Sequence, residues 1–213
     1  MEKLKILFAR KPFKILMWVF FVLAVAYVIL VAFRVVHFFN IDKTNAQVEK
    51  IHATKLTLDD VMGKNLPPDP GAEADKTVPG IDANQNGIRD DVELAVFKEY
   101  SNSAKTRAVL LQYALALQME TIQPIVNESV SIAVVQEEDR AYLCVGEILL
   151  RDDNNDQIMK KYFEDGEKLR LFIEDIQFNT EQRVTAQENF YKKVGSYNSL
   201  DRFCDIDYSK LPN

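Results

Sequence analysis

Asp82-Ala83-Asn84-Gln85-Asn86-Gly87-Ile88-Arg89-Asp90-Asp91-Val92-Glu93 is the stretch on which the reading of this chain turns. Oxygen-bearing side chains stand at its first, third, fifth, ninth and twelfth places: Asp82, Asn84, Asn86, Asp90 and Glu93. Gly87 holds the sixth place, where the chain must turn sharply and a positive φ costs glycine nothing. Ile88, at the seventh, offers a backbone carbonyl. With both carboxylate oxygens of Glu93, the set suits a hard cation that takes six to eight oxygens in flexible geometry. The plainer reading is an Asn/Asp/Gly-rich turn ahead of a helix, with Asp90 and Asp91 as first-turn acids favoured by the helix dipole.

These offsets are those of the twelve-residue EF-hand loop, and the stretch resembles that loop at every diagnostic place. The resemblance implies Ca2+ held by Asp82, Asn84, Asn86, Ile88, Asp90 and Glu93. One departure matters. The approach runs through Leu66-Pro67-Pro68-Asp69-Pro70-Gly71 and Val78-Pro79-Gly80, whose prolines and glycines forbid a regular entering helix. The site is a loop with an exiting helix only, similar to the calcium loops of dockerins and of other secreted bacterial proteins. The Pro-Asp-Pro-Gly entry, the loop and a helical body, over residues 66–110, look like a pattern in uncharacterised bacterial envelope proteins. That motif-level resemblance implies an exported calcium-loop protein and carries no activity with it. Sensor EF-hands work in pairs, so a lone loop reads as a structural clip. Asp152, Asn154 and Asp156 repeat part of the spacing, but Gln157 and Phe163 stand at the glycine and closing-glutamate places. That run is expected to be a solvated turn between helices.

Ahead of the loop lies a different solvent problem. From Ile15 to Phe33 the chain carries no charge, Pro, Asn or Gln, and as a helix that run spans roughly 28 Å, close to the hydrocarbon core of a bilayer. A cleaved signal peptide would have a shorter apolar region and a small-x-small site, and Arg34-Val35-Val36-His37 supplies none. An uncleaved signal anchor over residues 15–36 is expected. Lys3, Lys5, Arg10, Lys11 and Lys14 precede it, so residues 1–14 are expected as a cytoplasmic tail and the rest outside, in a bacterial periplasm.

Beyond the anchor, residues 37–62 read as a stalk, 63–80 as a Pro/Gly-rich linker, and 81–213 as a periplasmic calcium-loop domain. The expected fold class is mainly α: a transmembrane helix, the linker, the loop and a small helical bundle with one disulfide. Ile88, Val92, Val96 and Tyr100 make one helical stripe. Ser103 is placed to cap a second helix that Pro124 ends, Asn127 to open a third, and Thr180 to cap a fifth after a fourth over 157–177. The aromatic stripe of that fourth helix, with Tyr162, Phe163 and Phe172, reads as core. Cys144 and Cys204 are an even count in an exported segment and are expected to pair.

The charge balance excludes one partner class. Residues 1–40 hold six basic and one acidic side chain, leaving 20 basic and 31 acidic in the remainder, about −11. Nucleic acid demands a basic footprint, so it is not expected as a partner. The expected partners are the inner membrane, through the N-terminal helix, and an envelope protein. An enzyme is not expected. The only histidines, His37 and His52, precede the folded core, and no nucleophile elbow, phosphate loop or zinc-ligand pair is present. Glu137-Glu138 and Glu174-Asp175 read as solvated faces, so a carboxylate-only hydrolase ranks last. Two functions remain: a scaffold or interaction module with structural calcium, and a calcium-responsive envelope regulator.

Overall fold

The structure is a computed structural model that describes residues 11–149, 156–201 and 203–212. The expected tail at 1–14 and turn at 151–156 thus lie largely outside the described residues. These residues form helices and irregular segments, with no strand among them. The helices are α1 (Lys11–Ala53), α2 (Leu58–Val61), α3 (Asp90–Glu99), α4 (Ala104–Ile122), α5 (Glu128–Glu147), α6 (Asp156–Gln177) and α7 (Glu181–Tyr191). Single 3₁₀ turns cover Gly71–Asp75 and Tyr208–Lys210.

The chain divides into two units, residues 1–46 and 47–213. In the first, α1 is apolar all round over Ile15–Phe33 and exposed to its surroundings there. Among the described residues it is the one helix long and apolar enough to cross a membrane. Its 43 residues span about 65 Å at ~1.5 Å each, twice a hydrocarbon core, so the helix continues past the apolar run into polar sequence.

In the second unit α4 is the hub. It packs against α3, α5, α6 and α7, and residues 107–120 are buried on every side. A helix with no polar face can exist only inside such a collar. The sequence sets its ends locally. Ser103 Oγ accepts the N–H of Thr106, Asn127 Oδ1 that of Val130 at the start of α5, and Thr180 Oγ1 that of Arg183 at the start of α7. Each cap is the residue expected from sequence.

Residues 47–80, expected as the end of the stalk and as the linker, are instead tied into this unit. Ile51, Leu56 and Val61 lie in the core beside Val92, Val96 and Leu111. Thr57 opens α2 with a reciprocal cap through Asp60, which satisfies N–H groups at the start of that helix. Residues 74–78 are gripped by Arg183, fully buried in α7. Its guanidinium donates to Ala74 O, to Thr77 O and Val78 O at 3.1 Å each, and to Asp75 Oδ1 at 2.7 Å. Backbone at and after a single 3₁₀ turn leaves carbonyls without internal partners, and here one arginine satisfies three of them. On α6, Phe163 is 60% exposed and does not join the core, whereas Phe172 packs against it.

The tail after α7 is fastened twice. Cys144 and Cys204 are joined by a disulfide, as expected. Beside it, Asp205 accepts Arg140 Nη2 at 2.8 Å and the Leu56 N–H at 3.1 Å. Arg140 also pairs with buried Glu137, whose carboxylate takes His52 Nδ1 at 2.7 Å and Lys55 Nζ at 2.6 Å. Burial pushes Glu137 up, but Lys55, His52 and Arg140 outweigh it and hold the carboxyl below its usual value.

Candidate metal loop

The loop at residues 82–93 closes on itself through carboxyl and amide oxygens that collect backbone N–H groups. Asp82 Oδ1 accepts the N–H of Asn86 at 3.1 Å and Oδ2 that of Gly87 at 2.9 Å. Asn86 Oδ1 accepts Ile88 N–H at 2.9 Å, and Asp90 accepts Ala83 N–H at 3.0 and 3.2 Å. The Asp90 N–H donates to Ile81 O at 2.8 Å and closes the base of the ring where α3 begins. Asx side chains bonding their own downstream backbone are what favour turns over helix here.

Two left-handed residues make the bend. Gln85 sits at φ +60° and Gly87 at φ +86°. A Cβ on Gly87 would stand 2.8 Å from Leu115 Cδ1, so α4 and the turn both demand glycine. Gln85 has no such excuse. A non-glycine residue in that region costs on the order of 1 kcal/mol and persists only where its surroundings enforce it.

Glu93 lies in the first turn of α3 and is 1% exposed. Its Oε2 accepts the side-chain amides of Asn84 at 2.9 Å and Asn86 at 3.1 Å. Burial pushes this carboxyl up to about 7 against the lowering effect of the two amides, with Asp60 and Asp90 adding to the rise. Burial also raises Asp90. Asn84, Asn86 and Glu93 thus meet, while Asp82 and Asp90 turn to backbone N–H groups. Ile88 buries its side chain completely in the core, which anchors the loop from beneath. Among the described residues no three His, Cys, Asp or Glu side chains form a metal-holding group. The acids are spaced by amides, and two of the three are taken up by the turn.

In kind, the donors fit a hard cation. Carboxylates, amide carbonyls and one backbone carbonyl are the oxygens Ca2+ takes, and Glu93 is buried with no cation paired to it among the described ion pairs. Magnesium prefers a stricter octahedron with retained water.

The loop's surroundings are rigid in a way the sequence did not announce. Arg89, fully buried, donates to Asp91 at 2.6 and 2.7 Å and to Ile176 O and Gln177 O at 2.8 and 3.0 Å. These are the last carbonyls of α6, where a cation meets the negative end of the helix dipole. Gln118 Nε2 holds Pro79 O at 2.8 Å. A Cβ on Gly80, at φ +68°, would stand 2.3 Å from Arg89 Cδ. Arg183 stands on the stripe of Gln187 and Phe190, where its charge breaks the pattern and was the one sequence signal; Arg89 gives no such signal.

A second group of carboxyls lies among α4, α5, α6 and α7. Glu120 is 3% exposed, and its Oε2 accepts Gln187 Nε2 at 3.1 Å. Its Oε1 is buried and meets no donor, and the Glu138 side chain lies within interaction reach of the Glu120 carboxyl. Tyr191 donates to Glu138, and Tyr113 to Glu174 Oε1 at 2.5 Å. Glu138 and Glu174, expected on solvated faces, are therefore half-buried partners of this group. The chain matches no protein-family model, no curated protein and no solved structure.

Proposed function

We propose that the protein is a membrane-anchored, exported calcium-loop module that serves as a scaffold or interaction domain, with calcium as a structural clip. The meeting of Asn84, Asn86 and the buried, cation-poor Glu93 at the start of α3 carries this reading. In it Asp82, Asn84, Asn86, Ile88, Asp90 and Glu93 hold the ion, which supplies positive charge to carboxyls that otherwise face desolvation alone. α1 spans the inner membrane with its lysine-rich end inside, and the disulfide belongs to the oxidising side. Supports before and within the loop, Arg183 and Arg89, favour the clip over a moving sensor.

The test is calcium titration of the full chain in detergent by calorimetry, with Glu93→Gln as control. Binding well below millimolar, lost in the variant, is expected. Affinity near millimolar would favour the calcium-responsive regulator, and no heat at all would return the loop to an ordinary turn. A reporter fused after the last residue, active only outside, checks the orientation.

A further inference from the structure

We propose that Glu120 on α4 and Glu138 on α5 share one proton, and that this proton keeps α7 docked. Two carboxyl groups face each other, and the buried Oε1 of Glu120 meets neither N–H nor O–H. If both were ionised, two like charges would be close together in a poorly solvated place, with an acceptor left empty. One proton between them turns the orphan contact into a charge-assisted hydrogen bond and removes one charge. The proposal does not depend on the calcium reading.

The groups around the pair leave no other source of compensation. From α4 comes Tyr113, from α5 Asp139, from α6 Glu174, from α7 Tyr191 and from the tail Tyr197. All are acidic or neutral. No Lys, Arg or His forms an ion pair with Glu120, Glu138 or Glu174 among the described residues. The contrast with Glu137, one residue away and ringed by His52, Lys55 and Arg140, shows what this chain does when a buried carboxylate is to stay charged. The pair also holds α7 directly. Gln187 donates to Glu120 and Tyr191 to Glu138, four residues apart on one face of that helix. Glu138 is only partly buried and Tyr191 is 41% exposed, so the pair borders solvent on the α7 side.

Burial, and then the Glu138 carboxylate, push Glu120 well above the ordinary glutamate value of 4.5; burial likewise pushes Glu138 up against its bond from Tyr191. The folded chain therefore keeps a proton that the unfolded chain releases. The stability this gives is full below 4.5 and is lost as pH rises through the folded value. Loss of the proton loosens α7, and with it Arg183, whose grip on residues 74–78 leads into the loop.

Two measurements on the full chain in detergent, at saturating calcium, test the proposal. Infrared spectra of the folded wild type at pH 6 should show a protonated-carboxyl band that Glu120→Gln diminishes. Thermal melts should fall for the wild type between pH 5 and 8, while Glu120→Gln, whose amide donates to Glu138 at any pH, melts higher than wild type at pH 8 with a flatter slope. Absence of the band in the wild type overturns the shared proton, whatever the variant does. A variant that melts at or below wild type at pH 8 with an unchanged slope overturns it too. Loss of the band when calcium is added to Glu93→Gln protein would make the pair a metal seat and equally overturn it.

Discussion

Glu93 and Glu137 are both buried glutamates at helix surfaces, and the fold treats them in opposite ways. Glu93 sits between the amides of Asn84 and Asn86 with no cation beside it, and burial raises it to about 7. Glu137 sits among His52, Lys55 and Arg140 and is held below its ordinary value. Glu120 is a third case, set against another carboxyl. Equal burial thus decides nothing by itself. What a buried carboxylate does depends on which partner the neighbouring elements bring: a cation of the chain, a proton, or a cation from solution.

The largest expected break in this comparison is Glu137→Gln. It leaves Arg140, Lys55 and His52 around a neutral amide and loosens the joint between residues 52–56, α5 and the tail. Breaking a buried pair costs roughly 3–5 kcal/mol, and we expect about 3, because Lys55 and His52 are each about one-third exposed. Denaturant melts of full-length protein measure it. A loss under 1 kcal/mol would mean that the network is solvated and that Glu137 does not differ from the others.

Next in size is calcium. A ligand bound only by the folded chain stabilises it by about 2.7 kcal/mol at a hundredfold excess over Kd. Wild-type protein should melt several degrees higher in millimolar calcium than in chelator, and Glu93→Gln should lose most of that gap. The same substitution should do the chain no harm in chelator, because it removes a carboxyl that burial disfavours. Identical wild-type curves with and without calcium would remove the distinction between Glu93 and an ordinary turn acid.

The two regions also differ in how far the sequence foretold them. Residues 82–93 were legible because a turn is local: Asx side chains, one glycine and fixed offsets act within a dozen residues. Ser103, Asn127, Thr180 and Pro124 were legible for the same reason, as was a disulfide between the two cysteines of a segment expected to be exported. Glu120, Glu138 and Glu174 were not. They lie on three helices, and their meeting depends on packing angles that no short window contains. Glu137-Glu138 looked like solvated neighbours because only the fold shows that one faces Arg140 and the other Glu120. Residues 63–80 read as a free linker because their anchor, Arg183, lies about a hundred residues away. Whether the loop holds calcium is a matter of oxygen geometry in the presence of the ion, which offsets alone do not fix.

Proton competition sharpens the contrast further. In the proposed site calcium would take the Glu93 carboxylate, and in the metal-free fold burial holds that group to about 7. Below that value a proton must leave before calcium binds, so the apparent Kd should weaken by about tenfold per pH unit on the acid side of 7 and level off above it. Metal-free stability should run the other way. A raised carboxyl contributes fully below its unfolded value of 4.5 and loses that contribution as pH rises through about 7. Calorimetric titrations from pH 5 to 8 measure the first effect. An affinity independent of pH over that range would place the ion on groups other than Glu93.

The smallest effect tests the edge of the carboxyl group on α4. Tyr113 is 2% exposed, and its hydroxyl donates to Glu174 Oε1 at 2.5 Å. Burial and the bond to Glu174 both push the phenol above its ordinary range, so it stays a donor at every working pH. Tyr113→Phe deletes that donor without opening a cavity, because the ring and its edge contact with Tyr142 remain. A single hydrogen bond to a charged acceptor contributes about 1.5 kcal/mol, and the half-exposed Glu174 recovers part of it from water, so a loss of about 1 kcal/mol is expected at pH 7. No measurable loss would show that Tyr113 only fills space, and that Glu174 takes no part in the charge balance that sets Glu120 apart from Glu93 and Glu137.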